Sequence, residues 1–509
     1  MAWGILEDRR MPHVPGTVLL ADTTDIPTEY RSVARELLKH GRGRNSHVIL
    51  APQPSDSPND PLNWPTWRKD FILTIVGLSA AVVGAYGPML SPGFVEVAAQ
   101  LNISVNTLSE ATAWVVLLIG LSLFLLNPIA KKIGRRPVYV LSSIIMLTGS
   151  IWGAVSRDYG SFLASRIYSG VGMAPYEVLV QCTIADMYFV HERATRIAIW
   201  NMFLYAVSDQ GWKWTFIWCA ILFGILLPFV IFFVPETAFR RRASYEERLR
   251  ATKEERTRRR FSEKSSSVEH KEGSSAVFEP SLQIEAKETF WKSLRFYSGV
   301  YTETPLWKIF LRPLVVFWYP AVLWAFLVYG VTFTWIVVFS VVNAPIFTAE
   351  PYNFSVSQTG LISLSPFLLS FMGEIVSGPM NDWICLWLAK KNRGVYEPEF
   401  RLPPIIISFL IVHYQTHWTG PVLCFGLANM SLAFSNASVF GYVIDAHKGL
   451  SEEAFVAINA RNLLTFGLTY FVNDWRDRAG VLAVFNVLGI IFVIVNALTV
   501  LLWFFGKRI

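Results

Sequence analysis

Residues 71–130, sixty in a row, contain neither lysine nor arginine, and the pattern recurs at 313–389, 402–447 and 479–506. Positive charge is confined to short clusters between paired apolar stretches. A charged side chain at the centre of a bilayer costs roughly 2.5–3.5 kcal/mol on insertion scales. A soluble core imposes no such segregation, so the pattern specifies an integral membrane protein with many spans. Charged residues are only 16% of the chain and hydrophobic ones 53%, whereas soluble domains carry about 25% charged residues. At ~20 residues per span the apolar segments suffice for about twelve crossings. The net charge of +7 would also suit a nucleic-acid ligand. Its excess sits in loops assigned below to the cytoplasm, so no nucleic-acid partner is expected. Cys182, Cys219, Cys385 and Cys424 all fall in apolar segments, which predicts no disulfide framework. Residues 1–70 are polar and lack an apolar signal core, so the first span is expected to act as its own signal.

Ten spans are clear: Phe71–Leu90, Ala111–Leu126, Val138–Val155, Ser161–Ile184, Trp214–Val234, Pro313–Val342, Val356–Gly378, Trp418–Ile444, Phe455–Val472 and Val481–Phe505. Two more segments, Ile197–Val207 and Leu402–Val412, have eleven residues each. As helix each reaches about 16 Å against a hydrocarbon core of ~30 Å. Loop charge decides whether they count. Lys131, Lys132, Arg135 and Arg136 follow the second span, Arg193 and Arg196 the fourth, and Lys390, Lys391 and Arg393 the eighth; Lys507 and Arg508 end the sequence. The intervals 91–110, 344–355 and 413–417 have no lysine or arginine. That alternation requires both short segments to change sides, giving an all-α protein of twelve spans with abnormally short fifth and ninth spans.

The expected organisation is a cytoplasmic region at 1–70, a first bundle at 71–234, a charged cytoplasmic linker at 235–312 and a second bundle at 313–509. The linker is dense in Arg, Glu and Lys, then in Ser, a composition that cannot bury a core. Both termini are expected in the cytoplasm. Asn102 (Asn-Ile-Ser) and Asn353 (Asn-Phe-Ser) are glycosylation sequons on the predicted outer loops, or chance matches. An internal echo relates the halves. Asn127-Pro-Ile-Ala-Lys131 closes the second span and Gly378-Pro-Met-Asn-Asp382 the eighth, 251 residues on. Asp186 closes the fourth span and Asp445 the tenth, 259 residues on. Such offsets fit a parallel six-helix repeat, a known transporter plan.

The chain also resembles the major facilitator superfamily, and within it the fungal drug:proton antiporters. The resemblance covers 58–509 and is carried by six stretches. They are Asp60-Pro-Leu-Asn-Trp-Pro-Thr-Trp-Arg-Lys69, Gly134-Arg-Arg-Pro137, Ala185-Asp-Met-Tyr-Phe-Val-His-Glu-Arg193, Val234-Pro-Glu-Thr237, Gly394-Val-Tyr-Glu-Pro-Glu-Phe-Arg-Leu402 and Tyr442-Val-Ile-Asp445. It implies two six-helix bundles around a central cavity, alternating access and proton-driven efflux of a small organic compound (drug, toxin or polyamine-like). It also implies a monomer in the plasma membrane, no enzymatic activity and no cofactor beyond protons as coupling ion. The sequence departs from the family in three ways. Asn127 and Lys131 replace a glycine and an acid before Gly-Arg-Arg, and the second half lacks a later Gly-Arg-Arg. The Gly/Pro-rich fifth-span motif is missing, where Trp200–Ala206 runs almost directly into Asp209. With segment nine clipped too, the alternative is a transport-impaired paralogue, a sensor or a mis-spliced gene.

Ionisable residues inside spans are the candidate functional groups, because lipid exposure is so costly. Arg166 and Glu177 lie eleven apart on span four, so they share a helix face about 16 Å apart along the axis. One reading makes Glu177 a protonatable carboxylate in the cavity and Arg166 its electrostatic tuner or a substrate contact. The other is a structural interhelical contact. Glu374 is the second buried acid, either a proton site or a partner for a polar group across the bundle. Trp324, Tyr329 and Trp335 fall mid-span, where they line a cavity for flat or cationic compounds or pack the core. Gly134, Arg135, Arg136, Asp186, Arg193, Asp382, Asp445 and Arg461 form the expected inner-gate charge network, with Arg461 alternatively snorkelling to the interface. His413 and His417 lack a third ligand, and no metal site is expected.

Overall fold

The computed structural model describes residues 57–87, 94–189, 212–239, 299–350, 352–362, 364–392, 395–405, 419–447 and 450–508, with a few isolated positions besides. Span five, Arg193, residues 406–412 of span nine and most of the 235–312 linker lie outside the described residues. The first half contains α1 (Thr66–Tyr86), the short α2 (Phe94–Gln100), α3 (Val105–Ile133), α4 (Arg135–Val155), α5 (Tyr159–Met187) and α6 (Trp212–Phe233). The second contains α7 (Leu306–Val316), α8 (Pro320–Thr348), α9 (Val356–Ile362), α10 (Leu364–Lys391), α11 (Thr419–Ala446), α12 (Ser451–Asn459), α13 (Arg461–Ala479) and α14 (Val481–Phe505). Two short strands, β1 (Val18–Leu19) and β2 (Val395–Tyr396), pair antiparallel.

Among the described residues, eight helical runs are long and apolar enough to cross a membrane, α12 and α13 counting as one. The helices α5 and α10, of 29 and 28 residues, are as long but carry the ionisable groups Arg166, Glu177 and Glu374. The large apolar side chains of α6 (Trp218, Ile225, Phe232) and α14 (Ile490, Ile494, Leu501) are about half exposed. Such continuous apolar surface is stable only against lipid. The chain is therefore an all-α, multi-pass integral membrane protein.

The 251-residue echo is visible in the backbone. Asn102 and Asn353, at that offset, are both exposed and adopt left-handed φ of 53° and 48°. Two residues on, Ser104 caps α3 by accepting from the Thr107 amide at 3.0 Å. Ser355 and Gln358 form a reciprocal capping box in front of α9. Asparagine tolerates the left-handed region better than other residues with a Cβ, so both sequons also have a structural use at helix entry.

Polarity along the chain gives the protein two ends. Helices α3, α5 and α10 run from the sequon end toward a basic end holding Lys131, Arg135, Lys390 and Lys507. At the basic end Gly134 joins α3 to α4 with φ 104°, and a Cβ there would lie 2.2 Å from Glu236 Oε2. The Glu236 carboxylate accepts from the backbone amides of Arg135 and Arg136, capping α4. Gly134→Ala therefore meets a forbidden φ and a carboxylate together. We expect it to lower the unfolding temperature by several degrees, about 1–3 kcal/mol, and unchanged melting would refute the cap.

Candidate functional site

The halves meet where α3 and α5 pack against α12 and α13, and three layers of polar contacts run along this seam. In the middle layer Glu177 of α5 is about one-fifth exposed. It accepts a hydrogen bond from Asn462 Nδ2 at 2.9 Å and lies 3.6 Å from the guanidinium of Arg461. Arg461 opens α13 after the break at Ala460. Its guanidinium carbon lies 4.7 Å from the ring centre of Tyr329 and 3.5 Å from that of Phe333, both on α8. Two glycines permit this approach. A Cβ on Gly120 of α3 would lie 3.1 Å from Asn462, and one on Gly330 of α8 would lie 3.2 Å from Arg461. Glu374 of α10 is buried. A carboxylate, a guanidinium and two aromatic faces thus converge at the seam between the halves.

The other candidates from the sequence lie elsewhere. Arg166 is fully buried and donates to the carbonyl oxygens of Tyr86 at 2.7 Å and Gly87 at 3.0 Å. It also lies against the rings of Tyr86 and Phe216, so it caps the C-terminal end of α1, where the helix dipole favours a cation. That placement corrects the expectation of a tuner for Glu177. Trp324 donates to Thr499 on α14 and packs edge-on to Tyr442. Trp335 packs against Phe339 and Phe485. Both pack within the second half; of the three aromatics, Tyr329 is the one that faces the Arg461 guanidinium. Arg461 itself was expected in the inner-gate network, and its closest acid is instead Glu177.

The second layer closes the basic end. Arg135 lies 2.5 Å from Asp186 in its own half and bonds Glu452 in the other. Lys131 reaches Glu453 at 2.6 Å and Glu452 at 3.9 Å, and Arg312 approaches Glu453 at 3.6 Å. Lys131 is the residue that stands where the resemblance calls for an acid. The structure supplies the missing negative charge from α12. Arg136 instead donates to the carbonyls of Ile231 and Arg295. The third layer, at the sequon end, joins Asn473 to Ser109 at 3.2 Å and Asn106 to Asp474 at 3.5 Å.

Asp382 and Asp445 form a separate network inside the second half. Arg401, fully buried, lies 2.6 Å from Asp445 and 3.6 Å from Asp382. Tyr396 donates to Asp445 at 2.7 Å, and Asn381 exchanges bonds with the Arg401 carbonyl and guanidinium. A Cβ on Gly441 would lie 2.6 Å from the Arg401 side chain, so glycine opens its path. Arg401 answers Arg135, each paired with the acid that ends the fourth helix of its half. The sequence reading missed this role because Arg401 lies nineteen residues beyond Asp382. It also missed the stripe Asn462, Thr465, Thr469 and Asn473, buried at helical spacing on α13. A period of 3.6 in polar residues, on a helix otherwise fit for a membrane, was the available signal.

Beside Arg401, burial pushes the carboxyl of Glu399 up to about 7, with the negative charge of Glu397 adding to the effect. The folded state then favours the protonated acid. Its contribution is complete below about 4.5 and is lost as pH rises through about 7. Glu399→Gln should match the native melting temperature at pH 4.5 and exceed it at pH 8. Identical curves at both values would mean the carboxyl is solvated.

The model of the Major Facilitator Superfamily matches residues 72–459. The chain is 25% identical to the uncharacterized MFS-type transporter C1271.10c of Schizosaccharomyces pombe, covering 99% of this chain and 93% of that protein. It is 23% identical to the multidrug transporter FLU1 of Candida albicans, over 92% of this chain and 75% of that one. Among solved structures, the proton:xylose symporter XylE superposes with a TM-score of 0.55 at 13% identity, covering 87% of this chain and 96% of XylE. With a match across three-quarters of its length and the two-half helical fold described above, this chain belongs to the Major Facilitator Superfamily, a family of transporters and not of enzymes.

Proposed function

We propose that the protein is a proton-coupled exporter of a small organic compound, working by alternating access between two six-helix bundles of twelve spans in all. The observation that carries this reading is Glu177, a partly solvated carboxylate of one half held by Arg461 and Asn462 of the other. An acid in this position joins the state of its proton to the contact between halves. Ionised, it attracts Arg461 and holds the middle layer shut. Protonated, it loses that attraction, and the halves separate more readily there. Tyr329 and Phe333, which now face the Arg461 guanidinium, then face the cavity, where they offer flat apolar and cation-binding surface. The multidrug relative FLU1 is consistent with such a cargo.

By the positive-inside rule the basic end faces the cytoplasm, as do both termini, in a monomer of the plasma membrane. Asp186, Arg135, Lys131 and Glu452 serve as the inner gate, and export requires that gate to open once per cycle. The test uses purified protein in vesicles with an imposed pH gradient and a panel of neutral and cationic fluorescent dyes. Gradient-dependent movement of at least one dye, abolished by a protonophore, is the expected result. Movement indifferent to the gradient refutes proton coupling. No movement of any dye, in a protein that melts cooperatively, favours the transport-impaired paralogue.

A further inference from the structure

The seventh span, expected to open at Pro313, opens instead at Pro320, and the eleven-residue helix α7 stands in front of it. At ~1.5 Å per residue the 29 residues of α8 reach about 44 Å, the thickness of a bilayer with its headgroups. The three residues that join α7 to α8 span at most ~10 Å, which ties α7 to headgroup level. Its Ile309, Pro313 and Val316 are buried where it packs on α3 and α12. The rest of its surface is apolar as well, for Trp307, Phe310, Leu311, Leu314 and Val315 are all exposed. α7 carries two charges, Lys308 and Arg312, both positive. They are four residues apart and so lie on one side of the helix. Lys308 Nζ is 5.5 Å from the ring centre of Trp307, and Arg312, 39% exposed, is 3.6 Å from Glu453 of α12.

We infer that α7 is a docking surface for an anionic phospholipid, whose phosphate binds between Lys308 and Arg312 and whose acyl chains cover the exposed apolar side chains. A helix with cations set in an apolar, tryptophan-bearing face beds at the membrane surface, where anionic headgroups attract it. The site also touches the charged layer of the basic end. Glu453 has two cationic partners, Lys131 of the first half at 2.6 Å and Arg312 at 3.6 Å. A phosphate that draws Arg312 away leaves Glu453 to Lys131, the partner across the seam. With its competitor gone, that cross-half attraction strengthens. Anionic lipid thereby favours the closed basic end, and neutral lipid leaves it freer to open.

The consequence for cargo rests on the alternating-access reading, so the test reads contact and conformation and needs no cargo. It uses the full chain in lipid nanodiscs, on a Cys424→Ser background. A bimane fluorophore at Leu314→Cys should be quenched more by phosphatidylcholine nitroxide-labelled at its headgroup than by aqueous iodide. Quenching chiefly by iodide, or by neither, means that water or protein covers α7, and overturns the site. Spin labels at Lys132→Cys and Lys391→Cys, one on each half at the basic end, then report the separation of the halves. Replacing a third of neutral phosphatidylcholine with phosphatidylserine should raise the closely spaced population roughly twofold. Arg312→Gln should show the raised population already in neutral lipid and no response to phosphatidylserine, and Lys308→Gln a weakened response. Distances unmoved by phosphatidylserine, a full response in Arg312→Gln, or an equal response to inorganic phosphate in neutral discs overturns the proposal. If the distances respond as expected while no dye is transported, the lipid site stands and the exporter reading falls.

Discussion

Glu177→Gln should bring gradient-driven dye movement down to the level of protein-free vesicles, while leaving expression and melting temperature close to native. Glutamine keeps the shape of the side chain and still accepts the hydrogen bond from Asn462. It cannot ionise, so it cannot attract Arg461 or carry a proton. The structure explains why stability should survive. Glu177 is one-fifth exposed, and Arg461 retains the faces of Tyr329 and Phe333 when the acid is neutralised. Glu177→Asp, one methylene shorter, should keep part of the activity. Glu374→Gln provides the control, because Glu374 is a buried acid on the long helix α10 of the second half. Full gradient dependence in Glu177→Gln, with its loss in Glu374→Gln, would transfer the proton to α10.

The membrane class of this protein was legible because charge segregation is a one-dimensional signal. Eight of the ten clear spans exclude lysine and arginine entirely, whatever they pack against, and the other two hold one arginine each, Arg166 and Arg461. The repeat was read from the Asn-Pro and Gly-Pro echo at a 251-residue offset, and the same offset recurs in the backbone, where Asn102 and Asn353 both take a left-handed φ before a helix. Contacts between halves were not legible. Glu177 and Arg461 are 284 residues apart, and nothing local distinguishes an arginine that meets a carboxylate from one that snorkels. Arg166 shows the opposite failure. Eleven residues separate it from Glu177, and along that length of helix the two side chains meet different neighbours. Near the sequon end those neighbours are the last carbonyls of α1. Trp324 and Trp335 were ambiguous for want of a rotation angle, and packing against α14 resolved both. Lys131 looked like a damaged motif when read alone. Its compensation, Glu452 and Glu453, sits in the other half.

Arg401→Met should be the most destabilising single change outside the transport path. It leaves Asp445 and Asp382 buried with no guanidinium, and breaking a buried pair in this way costs about 3–5 kcal/mol. For a unit the size of the second half, that corresponds to a fall of about 10 °C in the melting temperature. Arg401→Lys should fall between, because a lysine cannot reach Asp445 and Asn381 together as the guanidinium does. Adding Asp445→Asn to Arg401→Met should recover part of the loss, since it removes one of the two stranded charges. A drop below about 2 °C in Arg401→Met would mean that the acids are solvated. The matching change in the first half separates structure from gating. Arg135→Met strands Glu452 less completely, because Lys131 stays within 3.9 Å of it, and Asp186 is a quarter exposed. Its melting temperature should move little, whereas the distance between spin labels at Lys132→Cys and Lys391→Cys, one in each half at the basic end, should grow. The two arginines occupy equivalent places in the repeat but differ in what they hold. Arg135 holds one half to the other, a contact that must break for the basic end to open. Arg401 holds its own half together, and no step of alternating access requires that it let go.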